Sequence, residues 1–282
     1  MLIDLQLHST YSDGYLTPTK LTDLLLRNNV RIASLTDHNT VGGLDEFKLA
    51  CKKNKIKPIV GMEIYAELNH TKFNLLWYNF DDKNSSLHKL LRLSQTRRRN
   101  QMRRVLLKLK RLGLIIDENK ILDKFNHYIP DNHVIDEVWR AVNEQKEASS
   151  RRGGKKPPED RIIKHLFKNL KECYIDFNHL LALKKKIGGQ IVLNHPGKNK
   201  RIYENFIAHL KRFCLNGIVV ISPHHSISVV MHLQRLANHH KLIMTGGSDY
   251  HLDEGGTAAI KNVYAYFRID SKSLAGLNKI IN

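Results

Sequence analysis

The sequence predicts an α/β protein built from parallel βα units, on three observations. Short apolar strands alternate with helical stretches from Asp4 to Tyr78 and again after Gly188. Most of these strands finish on a His, Asp or Glu, the end at which parallel α/β folds carry their sites. A length of 282 residues with 41% hydrophobic composition is enough for one large domain or two smaller ones.

The first strand is written in Asp4-Leu5-Gln6-Leu7-His8, where apolar and polar residues alternate strictly. Side chains alternate between faces of a strand, so Asp4, Gln6 and His8 share one face. Ser12-Asp13-Gly14 is a turn signal that places Asp13 on the following loop. Thr17-Pro18 starts a helix, with Thr17 as N-cap, running to about residue 29. Residues 30–35 form a second strand ending in Thr36-Asp37-His38-Asn39, and a helix follows over 44–55. Residues 58–65 and 74–78 are the third and fourth strands.

The pattern changes at residue 85. Residues 85–113 read as one long helix, with Leu87, Leu90, Leu91, Val105, Leu106, Leu109 and Leu112 as its apolar stripe. Its basic residues come with no acidic residue among them. At about 100° per residue, Arg97, Arg104, Lys108 and Arg111 lie close to one line, and Arg99, Arg103 and Lys110 lie elsewhere. Residues 117–187 read as a helical insertion with a flexible basic break at 149–158. The βα pattern resumes at 188–197, with further strands at 217–221, 242–245 and 262–267. The expected division is residues 1–84 with 188–282, and 85–187.

The charge is +19, from 46 Lys and Arg against 27 Asp and Glu, which favours association with polyanions. Cys51, Cys173 and Cys214 are too few and too far apart for a disulfide framework or a CxxC metal site. They suit reduced thiols in a cytoplasmic protein. No signal peptide and no bilayer-spanning stretch is read.

The strand-end set is Gln6, His8, Asp13, His38, Glu63, His195, His224 or His225, Asp249 and His251. Left uncompensated, such buried polar groups would each cost about 1–3 kcal/mol. Divalent ions compensate them. Imidazoles suit zinc, iron or manganese, and a carboxylate such as Glu63 suits a centre of several ions.

These residues carry a resemblance. The blocks Leu5-Gln6-Leu7-His8-Ser9-Thr10-Tyr11-Ser12-Asp13-Gly14, Leu35-Thr36-Asp37-His38-Asn39-Thr40, Gly61-Met62-Glu63, Asn194-His195-Pro196-Gly197 and Gly247-Ser248-Asp249-Tyr250-His251 resemble the PHP (polymerase and histidinol phosphatase) superfamily. The closest branch is the TrpH-like metal-dependent phosphoesterases. The resemblance implies a distorted, TIM-like (β/α)7 barrel holding one to three metal ions, which bind a phosphate ester and activate a water. It implies catalytic roles for Asp13, His38, Glu63, His195, Asp249 and His251. Gln6, His8, Glu63 and Asp249 would hold a first ion, Glu63, His195 and Asn74 a second, and Asp13, His38 and His251 a third. His224 or His225 would lie near the phosphate. Asp37 points away from His38 and takes a supporting role.

Two departures stand out: Gln6 and Asn74 occupy positions where the family usually has histidine. Amide oxygens ligate transition metals more weakly than imidazoles and shift preference toward harder ions. The expected function is a cytoplasmic hydrolase of phosphate esters, acting on nucleotides or the 5′ end of short RNA or DNA. Arg97, Arg104 and Lys198 would bind further phosphates. The alternatives are a non-catalytic RNA-binding or regulatory protein on the same scaffold, and a histidinol-phosphatase-type phosphomonoesterase.

Overall fold

The alternation at the N-terminus is strand β1 (Leu2–Leu7), and it is buried on both faces. Leu7 packs with Leu21, Leu25 and Phe47 of the helical layer, while Asp4, Gln6 and His8 are also buried. In this computed structural model, residues 1–152, 156–168, 173–198, 204–252 and 263–282 are described. The chain divides into two compact units, Met1–Leu90 with Tyr174–Asn282, and Leu91–Cys173.

The first unit is a nearly closed barrel. After β1 come α1 (Pro18–Arg27), β2 (Ile32–Leu35), α2 (Leu44–Lys53), β3 (Lys57–Leu68) and β4 (Thr71–Tyr78). Thr17 caps α1 by accepting from the Lys20 N–H at 3.3 Å, with Pro18 at the first helical position. Strands β1, β2 and β3 are parallel. β4 departs from the parallel pattern, running antiparallel to β3 in a hairpin. Leu68 pairs with Thr71, and the two residues between them, Asn69 and His70, both have positive φ (48° and 62°). That is the backbone of a two-residue hairpin turn whose twist matches the flanking strands.

The chain returns from the second unit through β5 (Ile175–Asp176) and α7 (Phe177–Ile187), a helix that the sequence reading assigned to the insertion. Then follow β6 (Gln190–Leu193), α8 (Glu204–Phe213), β7 (Leu215–Ile221), α9 (Ile227–His239) and β8 (Ile243–Gly246). The sheet order is β8-β7-β6-β4-β3-β2-β1-β9, with β5 paired to β3. Among the described residues the sheet has nine strands, seven of them longer than two residues. Leu7 bridges to Tyr250, and the His8 N–H donates to the Tyr250 carbonyl at 3.0 Å, bringing β1 to the segment after β8.

The strand expected at 262–267 is not formed. Residue 262 lies outside the described residues, Val263–Tyr266 is helix α10, and only Ile269–Asp270 (β9) pairs with β1. Val263 and Tyr264 are neighbours in sequence and both are buried. A strand would turn them to opposite faces, whereas a helix turn seats both. Helix α11 (Asn278–Ile281) closes the chain.

The second unit holds most of α3 (Ser85–Arg111), then α4 (Glu118–Leu122), α5 (Asp131–Arg152) and α6 (Asp160–Lys168). Its core joins Met102, Leu106 and Leu109 of α3 to Val134, Val138 and Val142 of α5 and to Ile163 and Phe167 of α6. Met102 completes the apolar stripe, and Leu112 is exposed because α3 ends at Arg111 and the chain turns at Gly113 (φ 105°). Of the break expected at 149–158, residues 149–152 are instead helix. Ser149 and Ser150 continue α5, each hydroxyl donating to the Lys146 carbonyl, and residues 153–155 lie outside the described residues.

Candidate metal centre

Most of the predicted residues of the barrel lie at or just past the carboxyl ends of its strands, with Glu63 and Asn74 inside strands. Gln6 is the last residue but one of β1 and His8 follows the strand, His38 follows β2, Glu63 lies within β3 and Asn74 within β4. His195 follows β6, His224 and His225 follow β7, and Asp249 and His251 follow β8. His195 and Asp249 have positive φ (21° and 52°), sparsely populated backbone for non-glycine residues and a local strain typical of functional sites. Two glycines permit the close approaches. A Cβ on Gly14 would lie 2.3 Å from the His8 carbonyl oxygen, and one on Gly247 would lie 2.5 Å from the Gln6 Cβ.

Two buried acids, Glu63 and Asp249, and the half-buried Asp13 meet the imidazoles. His8 Nε2 lies 3.2 Å from Glu63 Oε2 and 3.2 Å from Asp249 Oδ1, and its Nδ1 lies 3.4 Å from Asp13 Oδ1. His38 Nε2 and His251 Nε2 approach Asp13 Oδ2 at 3.4 and 3.3 Å. His195 Nε2 is 3.6 Å from Glu63 Oε1. His8 packs against the rings of His251 and His38, with centroids 4.3 and 4.5 Å away. Burial pushes the Asp13 carboxyl up, but His251 and His38 outweigh it and hold it well below the usual carboxylate range. Burial is likewise outweighed at Glu63 and Asp249 by their histidines, and at His8 by Asp249, Glu63 and Asp13, which hold its imidazole well above its usual value.

The two amides behave differently from the expectation of ligating oxygens. Gln6 Nε2 donates to Glu63 Oε2 at 3.0 Å and to Asp249 Oδ1 at 2.7 Å, and Asn74 Nδ2 donates to Glu63 Oε1 at 2.7 Å. The carboxylates draw the N–H ends of both amides, so each Glu63 oxygen accepts from one of them.

His224 Nε2 lies 2.8 Å from Asp249 Oδ2, and Lys198 Nζ lies 3.9 Å from the same oxygen with half of its side chain exposed. His225 is held elsewhere: its Nδ1 meets the Val220 carbonyl at 2.9 Å and its Nε2 accepts from the Gly197 N–H at 3.3 Å. Of the pair, His224 faces the acids and His225 fixes the loop after β6. Arg97 and Arg104 are exposed residues of α3 in the second unit. Asp37 accepts from the Ser9 N–H, the Ser9 hydroxyl and the Ser12 hydroxyl at 2.6–2.7 Å, pinning the loop that carries Asp13. Sequence reasoning missed Tyr65, whose ring stacks on His38 at 4.5 Å. Its place two residues beyond Glu63, on the same strand face, was the available signal.

The PHP domain profile matches residues 4–155, more than half of the chain. The chain belongs to the PHP domain family. A 5′-3′ exoribonuclease of Haemophilus influenzae is 32% identical over 111 residues, 39% of this chain and 40% of that protein's own length. A 3′,5′-nucleoside bisphosphate phosphatase of Chromobacterium violaceum is 25% identical over 267 residues, covering 90% of this chain and 89% of its own. The solved structure of an inferred metal-dependent phosphoesterase from Bifidobacterium adolescentis has a TM-score of 0.72 at 21% identity, covering 93% of both chains. That likeness shows the PHP barrel fold.

The residues of this PHP chain fit divalent metal. His8, Asp13, His38 and His251 place one ligand atom each within 4.8 Å of one another, and so do His8, Glu63 and Asp249. Both ring nitrogens of His8 and the amide oxygen of Gln6 are buried with no hydrogen-bond partner. Donors bonded to one ion at 2.0–2.2 Å stand about 3.0–3.5 Å apart, close to the separations found around His8.

Proposed function

We propose that this metal-dependent phosphoric ester hydrolase of the PHP family acts on nucleotides or on the 5′ end of short nucleic acids. The observation that carries the reading is the convergence of Asp13, Glu63 and Asp249 with His8, His38, His195 and His251. Asp13, His38 and His251, with His8 beside them, form the most complete ligand set. Glu63, Asp249, His195, Gln6 and Asn74 form the remainder. Manganese, zinc or iron suits these donors. When bound, such ions lower the pKa of water and neutralise charge on phosphate oxygens.

The chain's own groups do the rest. Lys198 offers a cation at the rim beside Asp249, for a phosphate oxygen. His224, hydrogen-bonded to Asp249, is held on the same side and meets the phosphate there. A cytoplasmic location belongs to this reading, since all three cysteines are free thiols. Among the described residues, no helix is long and apolar enough to cross a membrane.

One observation favours a second reading, a phosphate-binding protein without turnover: both Glu63 oxygens accept from side-chain amides. The experiment that decides is phosphate release from a 3′,5′-nucleoside bisphosphate, a 5′-phosphorylated oligoribonucleotide and a generic aryl phosphate. Each is tested with manganese, zinc or iron and with chelator. Metal-dependent release from a nucleotide substrate is expected. Binding without release under every metal favours the second reading, and neither binding nor release contradicts both.

A further inference from the structure

Of the ten Lys and Arg residues of α3, Lys89 and Arg92 are exposed and precede the basic run, and the eight from Arg97 to Arg111 separate into two sets by what they touch. Arg98 is fully buried, its Nε donating to the Ile129 carbonyl at 3.0 Å. Arg99 reaches the Leu122 carbonyl and the Asp123 carboxylate, Arg103 donates to Asn119 Oδ1 at 2.9 Å, and Lys110 donates to Glu118 Oε2 at 2.9 Å. These four are part of the second unit's own packing. Arg97, Arg104, Lys108 and Arg111 are exposed and make no ion pair among the described residues. They lie within about 60° of one another around the helix and span 15 residues, about 21 Å of axis.

Helix stability does not explain this stripe. Arg104 and Lys108 are like charges four residues apart, and Lys108 and Arg111 are three apart, spacings at which like charges oppose helix formation. The negative end of the helix dipole favours cations only in the last turn, which covers Lys108 and Arg111 but not Arg97 or Arg104. A row of four unpaired cations about 21 Å long is also longer than any mononucleotide. It matches the repeated charges of an extended phosphodiester strand, which releases one condensed counterion for each phosphate neutralised.

We propose that the exposed stripe Arg97–Arg104–Lys108–Arg111 of α3 binds the phosphate backbone of a single-stranded nucleic acid. This rests on the reading of the barrel as a hydrolase of nucleotide or nucleic-acid phosphates. It commits the chain to strands several nucleotides long.

The test measures binding of a fluorescein-labelled twelve-nucleotide RNA to the full chain by anisotropy. Chelator is present so that no turnover intervenes, and salt is varied from 50 to 200 mM. Single-strand contacts contribute about 0.7 each to the slope of log affinity against log salt. Arg97→Ala with Arg104→Ala should therefore flatten that slope by about 1.4. A control, Lys185→Ala with Lys186→Ala on α7, removes the same charge from exposed positions and should leave the slope near that of wild type. Equal weakening in both double variants, or none in the stripe variant, overturns the proposal. Because binding is measured without metal, the phosphoesterase reading is judged separately, by phosphate release from a mononucleotide.

Discussion

Asp4 is a buried acid that the metal centre does not use. Its carboxylate accepts from the Ser248 N–H at 2.9 Å and from the Tyr264 hydroxyl at 2.7 Å, tying β1 to the segment after β8 and to α10. Burial pushes its carboxyl up to about 6, against 3.8 in the open chain. The folded protein therefore holds this proton more tightly than the unfolded chain. Ionised Asp4 costs about 3 kcal/mol above pH 6, a cost that fades as pH falls toward 4. Its hydrogen bonds offset part of that cost. Tyr264→Phe removes one donor, and urea unfolding should show a loss of about 1–3 kcal/mol at pH 8 and a clearly smaller loss at pH 5. Equal losses at the two pH values would contradict this role. The sequence placed Asp4, Gln6 and His8 on one strand face, and the structure agrees. It could not show that Asp4 would be claimed by Ser248 and Tyr264, because those partners lie 244 and 260 residues away.

The period of α3 was legible and its inward basic residue was not. Spacing of Leu87, Leu91, Leu106 and Leu109 marks the buried face, and all four are buried. Arg98 reads as one more charge in a basic run, yet it is fully buried, with its guanidinium 5.6 Å from the Tyr128 ring centroid. Its partners come from the segment before α5, some 30 residues on, which helical periodicity cannot see. Arg98→Ala should destabilise the second unit by about 3 kcal/mol, through the cavity and the lost hydrogen bond, while its neighbour Arg97→Ala stays within about 0.5 kcal/mol. Thermal unfolding of the two variants measures the contrast, and similar midpoints would refute it. The β3–β4 hairpin was hidden for a related reason. Asn69-His70 is a weak turn signal compared with Asn-Gly, and only the paired strands on either side make its positive φ angles necessary.

The chain as a whole was legible where chemistry is local. Five short blocks, four of them at strand ends and one within β3, carried the family, the barrel and the ligand types, because metal ligands come from a few residue types such as His, Asp and Glu. What the blocks could not give is the partnership across them. Gln6 and Asn74 read as weakened ligands, and the structure turns their N–H groups onto Glu63. Glu63, wholly buried, receives Gln6, Asn74, His8 and His195, so it is the residue on which the centre converges. The most direct test is metal content and phosphate release of wild type and Glu63→Ala, each dialysed and then supplied with manganese, with circular dichroism to confirm folding. The account predicts fewer than three tightly held ions in dialysed wild type. In folded Glu63→Ala it predicts loss of metal together with a fall in turnover of about 100-fold or more. A folded Glu63→Ala protein that keeps wild-type metal content and wild-type turnover would contradict it.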